Sequence, residues 1–94
     1  MNAIVCRIDI ELFIAGANSL KEKRAVVKRA VERIKARCNA SAAEIGYQDV
    51  WQRAGLGVAI IGEPAVVRRQ AEAVRRIIDG LDEAEIIRFD IMLL

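Results

Sequence analysis

The sequence predicts an α+β domain in which a four-stranded antiparallel sheet carries two helices on one face. Three observations predict it. Apolar residues alternate with a period of two near both ends of the chain, a helical apolar stripe occurs twice between them, and a short uncharged run separates the two stripes. The element order is therefore βαββαβ.

From Ile4 to Ile14, the residues Ile4, Cys6, Ile8, Ile10, Leu12 and Ile14 share one side while Arg7, Asp9 and Glu11 share the other. That is the pattern of a half-buried strand. Ala15-Gly16-Ala17-Asn18 makes a turn, and Ser19 followed by Glu22 has the spacing of a capping box, so a helix begins at Leu20. Leu20, Val27, Val31, Ile34 and Cys38 form its apolar stripe, and Asn39 ends it. Ala40 to Tyr47 has no clean period, but Ile45 between Glu44 and Gly46 marks a short strand with a bulge. Tyr47 to Arg53 is a polar, aromatic connection. Leu56 to Ile61, bounded by glycines, is a central strand. Pro64 suits the first position of a second helix and Gly80 its stop, with Val67, Ala71, Val74, Ile78 and Leu81 facing the core. Ile87, Phe89, Ile91 and Leu93 then alternate with Arg88, Asp90 and Met92 in a last strand. Right-handed crossovers turn this order into a ferredoxin-like split βαβ fold, one domain over residues 1–94.

Composition narrows the function. Hydrophobic residues make up 54% of the 94 positions and charged residues 30%, which excludes a disordered chain. Uncharged stretches such as Ala54 to Gly62 are too short to span a bilayer. Arg7, Asp9 and Glu11 interrupt the first apolar run, so no signal peptide is read there and a cytoplasmic protein without a membrane role is expected. Histidine is absent, and Cys6 and Cys38 are the only thiols. Two sulfurs far apart fall short of a zinc site, and a nucleophilic cysteine would lack an imidazole to hold its thiolate. Both cysteines are expected as reduced core residues, and no cofactor, metal or catalytic residue is assigned. Asp9, Glu11 and Asp90 form a carboxylate set suited to a hard cation, but cross-strand pairs of Arg7, Asp9 and Glu11 with Arg88 and Asp90 are the simpler reading.

Two motifs carry a resemblance. Ser19-Leu20-Lys21-Glu22-Lys23-Arg24, and Gln48-Asp49-Val50-Trp51-Gln52-Arg53 followed by Leu56-Gly57-Val58-Ala59, resemble the YlxP-like family (domain of unknown function 503) of small bacterial proteins. The likeness runs from the first strand to the last, departing in a second strand that is richer in alanine. It implies a ferredoxin-like fold and no established enzymatic activity. Members are often encoded among transcription and translation factors, including a ribosome-binding factor, so RNA or ribosome association is expected. The glycine-rich phosphate loop that acylphosphatases of this topology carry after the first strand is absent.

The net charge of +2 conceals a segregation. Leu20 to Arg37 holds eight bases (Lys21, Lys23, Arg24, Lys28, Arg29, Arg33, Lys35, Arg37) against Glu22 and Glu32, and Pro64 to Asp79 holds four against two acids. The helix layer thus carries +8 and the other segments −6. Lys21, Arg24, Lys28 and Lys35 fall within roughly a 60° arc spanning about 21 Å, a geometry that can track a phosphate backbone. The opposing reading is a solvated face neutralised by Glu32 near Lys28, Arg29 and Lys35. In the second helix Arg68–Glu72, Glu72–Arg76 and Arg75–Asp79 are spaced for local ion pairs.

Gln48, Trp51 and Arg53 are the remaining candidates for nucleic-acid contact. Trp51 and Arg53 can stack on unpaired bases, or Trp51 can cover the sheet edge while Asp49 and Gln52 satisfy the turn. The open face of the sheet, with Arg7, Asp9, Glu11, Gly57, Ala59 and Ile61, is acidic and poor in aromatics, so RNA should meet the helix side or the Tyr47–Arg53 loop. That open face, edged by Val5, Phe13, Ile61 and Met92, suits the alternative function: a protein-interaction module or a homodimer through the sheet.

Overall fold

A computed structural model describes residues 1–94. The elements are β1 (Ile4–Phe13), α1 (Leu20–Arg37), β2 (Ala40–Gly46), β3 (Arg53–Gly62), α2 (Pro64–Asp79) and β4 (Glu85–Leu93). All strand pairs are antiparallel and the strand order is β2-β3-β1-β4. This is the ferredoxin-like arrangement expected from the sequence. Two crossovers that each skip one strand leave β2 and β4 as the free edges.

The alternation of β1 decides which face is covered. Cys6, Ile8, Ile10 and Leu12 oppose Ile60, Val58, Leu56 and Ala54 of β3 across one face, and all eight are buried. Both helices close that face: Val26, Val27, Ala30 and Ile34 of α1 and Val67, Ala71, Val74, Ile77 and Ile78 of α2 join a single apolar cluster. The expected α2 stripe is buried throughout. The α1 stripe is rotated from the expected one, because Leu20 and Val31 are only half-buried and Lys23 lies inside instead.

Ser19 caps α1 as its spacing predicts, accepting the amide of Glu22 at 3.1 Å, while Glu22 reaches back to the Asn18 amide at 2.9 Å. Ile45 sits at the β2 bulge, between the Glu44↔Leu56 and Gly46↔Gly55 pairs. Its side chain crosses the open face above Gly57, where a Cβ would lie 2.9 Å from Ile45 Cδ1. A second bulge shifts β4: Glu11 faces Arg88 but Leu12 faces Ile86. Ile86 therefore packs on the core and Ile87 is exposed, so the strand starts two residues before the expected Ile87.

On the open face, the ion pairs expected between β1 and β4 give way to pairs along each of those strands and one between β1 and β3. Asp90 stands opposite Asp9, a like charge, and Met92 stands opposite Arg7. Arg7 instead binds Asp9 (2.8 Å), Arg88 binds Asp90 (2.6 Å), and Glu11 is taken by Arg53 of β3. The three carboxylates considered for a cation are each held by a guanidinium.

Candidate nucleic-acid interface

A lysine placed among apolar residues organises the candidate surface. Lys23 lies one turn before Val27 on the buried side of α1 and is fully buried. Its Nζ donates to the carbonyls of Tyr47 (2.8 Å) and Gln48 (3.3 Å) and pairs with Glu44 Oε2 at 2.9 Å. Glu44 Oε2 is buried with no hydrogen-bond partner, so its compensation is the Coulombic contact with Nζ. Lys23 thus ties the first turn of α1 to the end of β2.

The segment after β2 is anchored further. Tyr47 takes φ 58°, a left-handed conformation that turns the chain there, and Val50 closes the turn by donating to the Tyr47 carbonyl at 3.0 Å. The Gln48 side chain donates to the Glu44 carbonyl at 3.4 Å, and Gln52 Nε2 donates to the Ala15 carbonyl at 3.0 Å. Arg53 is the first residue of β3; its guanidinium binds Glu11 and lies 5.1 Å from the centre of the Tyr47 ring. Gln52 satisfies backbone carbonyls, but those of Ala15 and Ala17 in the β1–α1 turn instead of its own loop, and Asp49 makes no side-chain hydrogen bond. Trp51 is 53% exposed, and Tyr47 and Val50 of the same loop are also exposed in large part.

Along α1, Lys21, Arg24, Lys28 and Lys35 are all exposed to solvent. Lys21, Arg24 and Lys35 have no carboxylate within ion-pair distance, and Lys28 meets Glu32 at 4.0 Å. Glu32 reaches neither Arg29 nor Lys35; Arg29, about 100° round the helix from Lys28, binds Glu83 beyond α2. That contact puts Arg29 on the flank towards α2 and the lysine arc on the flank towards β2. In α2 only Arg75–Asp79 forms, at 3.8 Å; the expected Arg68–Glu72 and Glu72–Arg76 pairs do not, which leaves Arg68, Arg69 and Arg76 unpaired. Of the eight bases counted in α1, Lys23 is removed from the surface and Lys28 and Arg29 are partnered. Five remain unpaired.

The structure therefore brings Lys21 and Arg24, through the Lys23 clamp, to the same end of the molecule as Trp51. It separates Arg53, which is committed to Glu11, and leaves Lys35 near the far end of α1. Sequence reasoning missed Lys23 and Glu44 as the organising pair. The available signal was spacing: Lys23, Val27, Ala30 and Ile34 follow a 4-3-4 rhythm.

Burial pushes the Cys6 thiol above its ordinary pKa, and the Cys38 thiol likewise, against the opposing pull of Arg76 and Arg37. Both are buried and reduced. No helix is long and apolar enough to cross a membrane.

The family model described as "Protein of unknown function (DUF503)" matches residues 5–91. A Bacillus subtilis (strain 168) relative, "Uncharacterized protein YlxP", is 42% identical over 78 residues, covering 82% of this chain and 85% of the relative. Among solved structures, the de novo designed protein Foldit4 aligns over 99% of this chain and 97% of its own with a TM-score of 0.58 at 19% identity, a likeness of fold. A second designed protein with ferredoxin fold, LFR1 1, aligns over 100% of this chain and 84% of its own with a TM-score of 0.42 at 13% identity.

Proposed function

We propose that this chain, which belongs to the family described as "Protein of unknown function (DUF503)", is a non-enzymatic cytoplasmic protein that associates with RNA, free or ribosomal, through the β2-side flank of α1 and the Tyr47–Gln52 loop. The observation that carries the reading is the pairing of unneutralised cations with an exposed, anchored aromatic. Lys21, Arg24 and Lys35 point no charge at a carboxylate, and Trp51 stands out of a loop fixed to the same helix. Lysine and arginine on a rigid helix bind phosphates by displacing counterions, without reading sequence. A tryptophan face then stacks an unpaired base, which favours single-stranded or looped RNA over duplex.

The open face offers no comparable surface, since Asp9, Glu11 and Asp90 are matched there by Arg7, Arg53 and Arg88. Gln48 and Arg53 belong to the interface as supports of the loop, with their polar groups directed at Glu44 and Glu11.

The test is a titration of single-stranded RNA oligomers at several salt concentrations. With four phosphates engaged, log affinity falls against log salt with a slope near −3. Reversing Lys21, Arg24, Lys28 and Lys35 together should abolish that slope. Binding indifferent to salt and to those reversals would leave the protein-interaction module as the working description.

A further inference from the structure

The least protected surface is the outer edge of β4. Nine residues run without proline, lysine or covering element, and Ile91 and Leu93 are 52% and 66% exposed. Native sheets normally blunt such an edge. The other edge, β2, is blunted: it is shorter, rich in alanine and broken by the Ile45 bulge. Beside β4 a groove of about 700 Å³ opens between the strand and α2, floored by Val67, Ala71, Phe89 and Ile91 and rimmed by Arg68 and Arg75.

We propose that this edge pairs with the same edge of a second copy of the chain, antiparallel about a two-fold axis at Phe89. Two independent features of β4 select that partner and that register. The first is hydrogen-bond phase. Leu94 donates to the Val5 carbonyl at 2.9 Å, so the alternation of an antiparallel ladder turns the main-chain groups of Arg88, Asp90 and Met92 towards β1. Those of Phe89, Ile91 and Leu93 face outwards and unpaired. A two-fold at Phe89 joins outward groups to outward groups, Phe89 with Phe89, and runs Ile91 of each copy alongside the Ile87 bulge of the other.

The second is charge. In that register Arg88 stands opposite Asp90 on the open face, twice by symmetry. Moving the axis to Asp90 sets Asp90 against Asp90, moving it to Arg88 sets Arg88 against Arg88, and moving it to Ile91 leaves both charges opposite Leu94 and Met92. Only the Phe89 register is self-complementary. It also sets Phe89 of the two copies side by side on the helix face, with Ile91 flanking each, bringing apolar cover to the open groove. A continuous eight-stranded sheet results, with both lysine arcs on its outer margins.

The test uses the full chain in sedimentation equilibrium, with circular dichroism confirming the fold of each variant. The wild type should be dimeric at tens of micromolar. Arg88→Asp and Asp90→Arg should each weaken self-association about thirtyfold, as two facing pairs turn from attraction to repulsion. Mixed together, those two variants should form a heterodimer, and the double variant R88D/D90R should dimerise again. Ile91→Pro, which removes only an outward amide, should give a folded monomer. A wild type monomeric at hundreds of micromolar overturns the proposal. So does a dimer that survives Ile91→Pro, or charge-swapped variants that fail to rescue one another.

Discussion

Replacing Lys23 by methionine tests the clamp that joins α1 to the β2–β3 loop. The change keeps most of the buried stem and removes the ammonium, so packing is nearly conserved. Left behind are two carbonyls, of Tyr47 and Gln48, and a Glu44 carboxylate whose side chain is only 17% exposed. Breaking a buried pair by removing one partner costs about 3–5 kcal/mol, much of it the desolvated charge that remains. Against a stability of about 5–15 kcal/mol for a domain of this kind, that is a large fraction. Glu44→Gln added to Lys23→Met removes the orphaned charge and should return about 1–3 kcal/mol of the loss, so the two changes are strongly non-additive. Urea unfolding followed by circular dichroism measures all three variants. A cost below about 1 kcal/mol for Lys23→Met, or strict additivity in the double variant, would refute the assignment of Lys23 as the organising contact.

The remaining expectations concern separate features. Trp51→Ala should change stability by less than about 0.5 kcal/mol, because the indole is exposed, while weakening single-stranded RNA binding about tenfold through loss of a stacked base; filter binding beside a urea curve reads both. Gly55→Ala should cost about 1–3 kcal/mol, since its Cβ would meet Gly46 backbone atoms at 3.1 Å and 3.2 Å. Gly57→Ala should cost less, because the tip of Ile45 can move aside, and thermal unfolding ranks the two. The raised thiol pKa values of Cys6 and Cys38 predict a pH effect of definite sign. The fold keeps both thiols protonated, so their contribution is intact below the unfolded thiol range and declines as pH climbs through and above about 9. The urea midpoint should fall there, and Cys6→Ala with Cys38→Ala should flatten the fall.

Periodicity exposed the fold because each element has one wet and one dry side. The β1 alternation, the Ser19 cap and the α2 stripe all appear in the structure as their spacing requires. The candidate site was less legible. A lysine in a basic helix reads as surface, and nothing local reveals that Glu44 and two carbonyls wait for Lys23 from twenty or more positions away. Ion pairs failed for a related reason. Helix spacing permits Arg68–Glu72 and strand order permits Asp9 near Arg88, but side chains choose among several partners, and strand register put Asp9 opposite Asp90. Ile87 was misplaced because a bulge shifts phase without changing composition.

The loop between β2 and β3 has a kinetic consequence. Its ties to α1 and to the β1–α1 turn join groups 24 and 37 positions apart in the chain, so closing them demands that the helix has already docked. Trp51 is displayed in its final pose only once assembly is complete, and a nascent or half-folded chain lacks that feature. The corner is in this sense a property of the finished fold and of no smaller part of it.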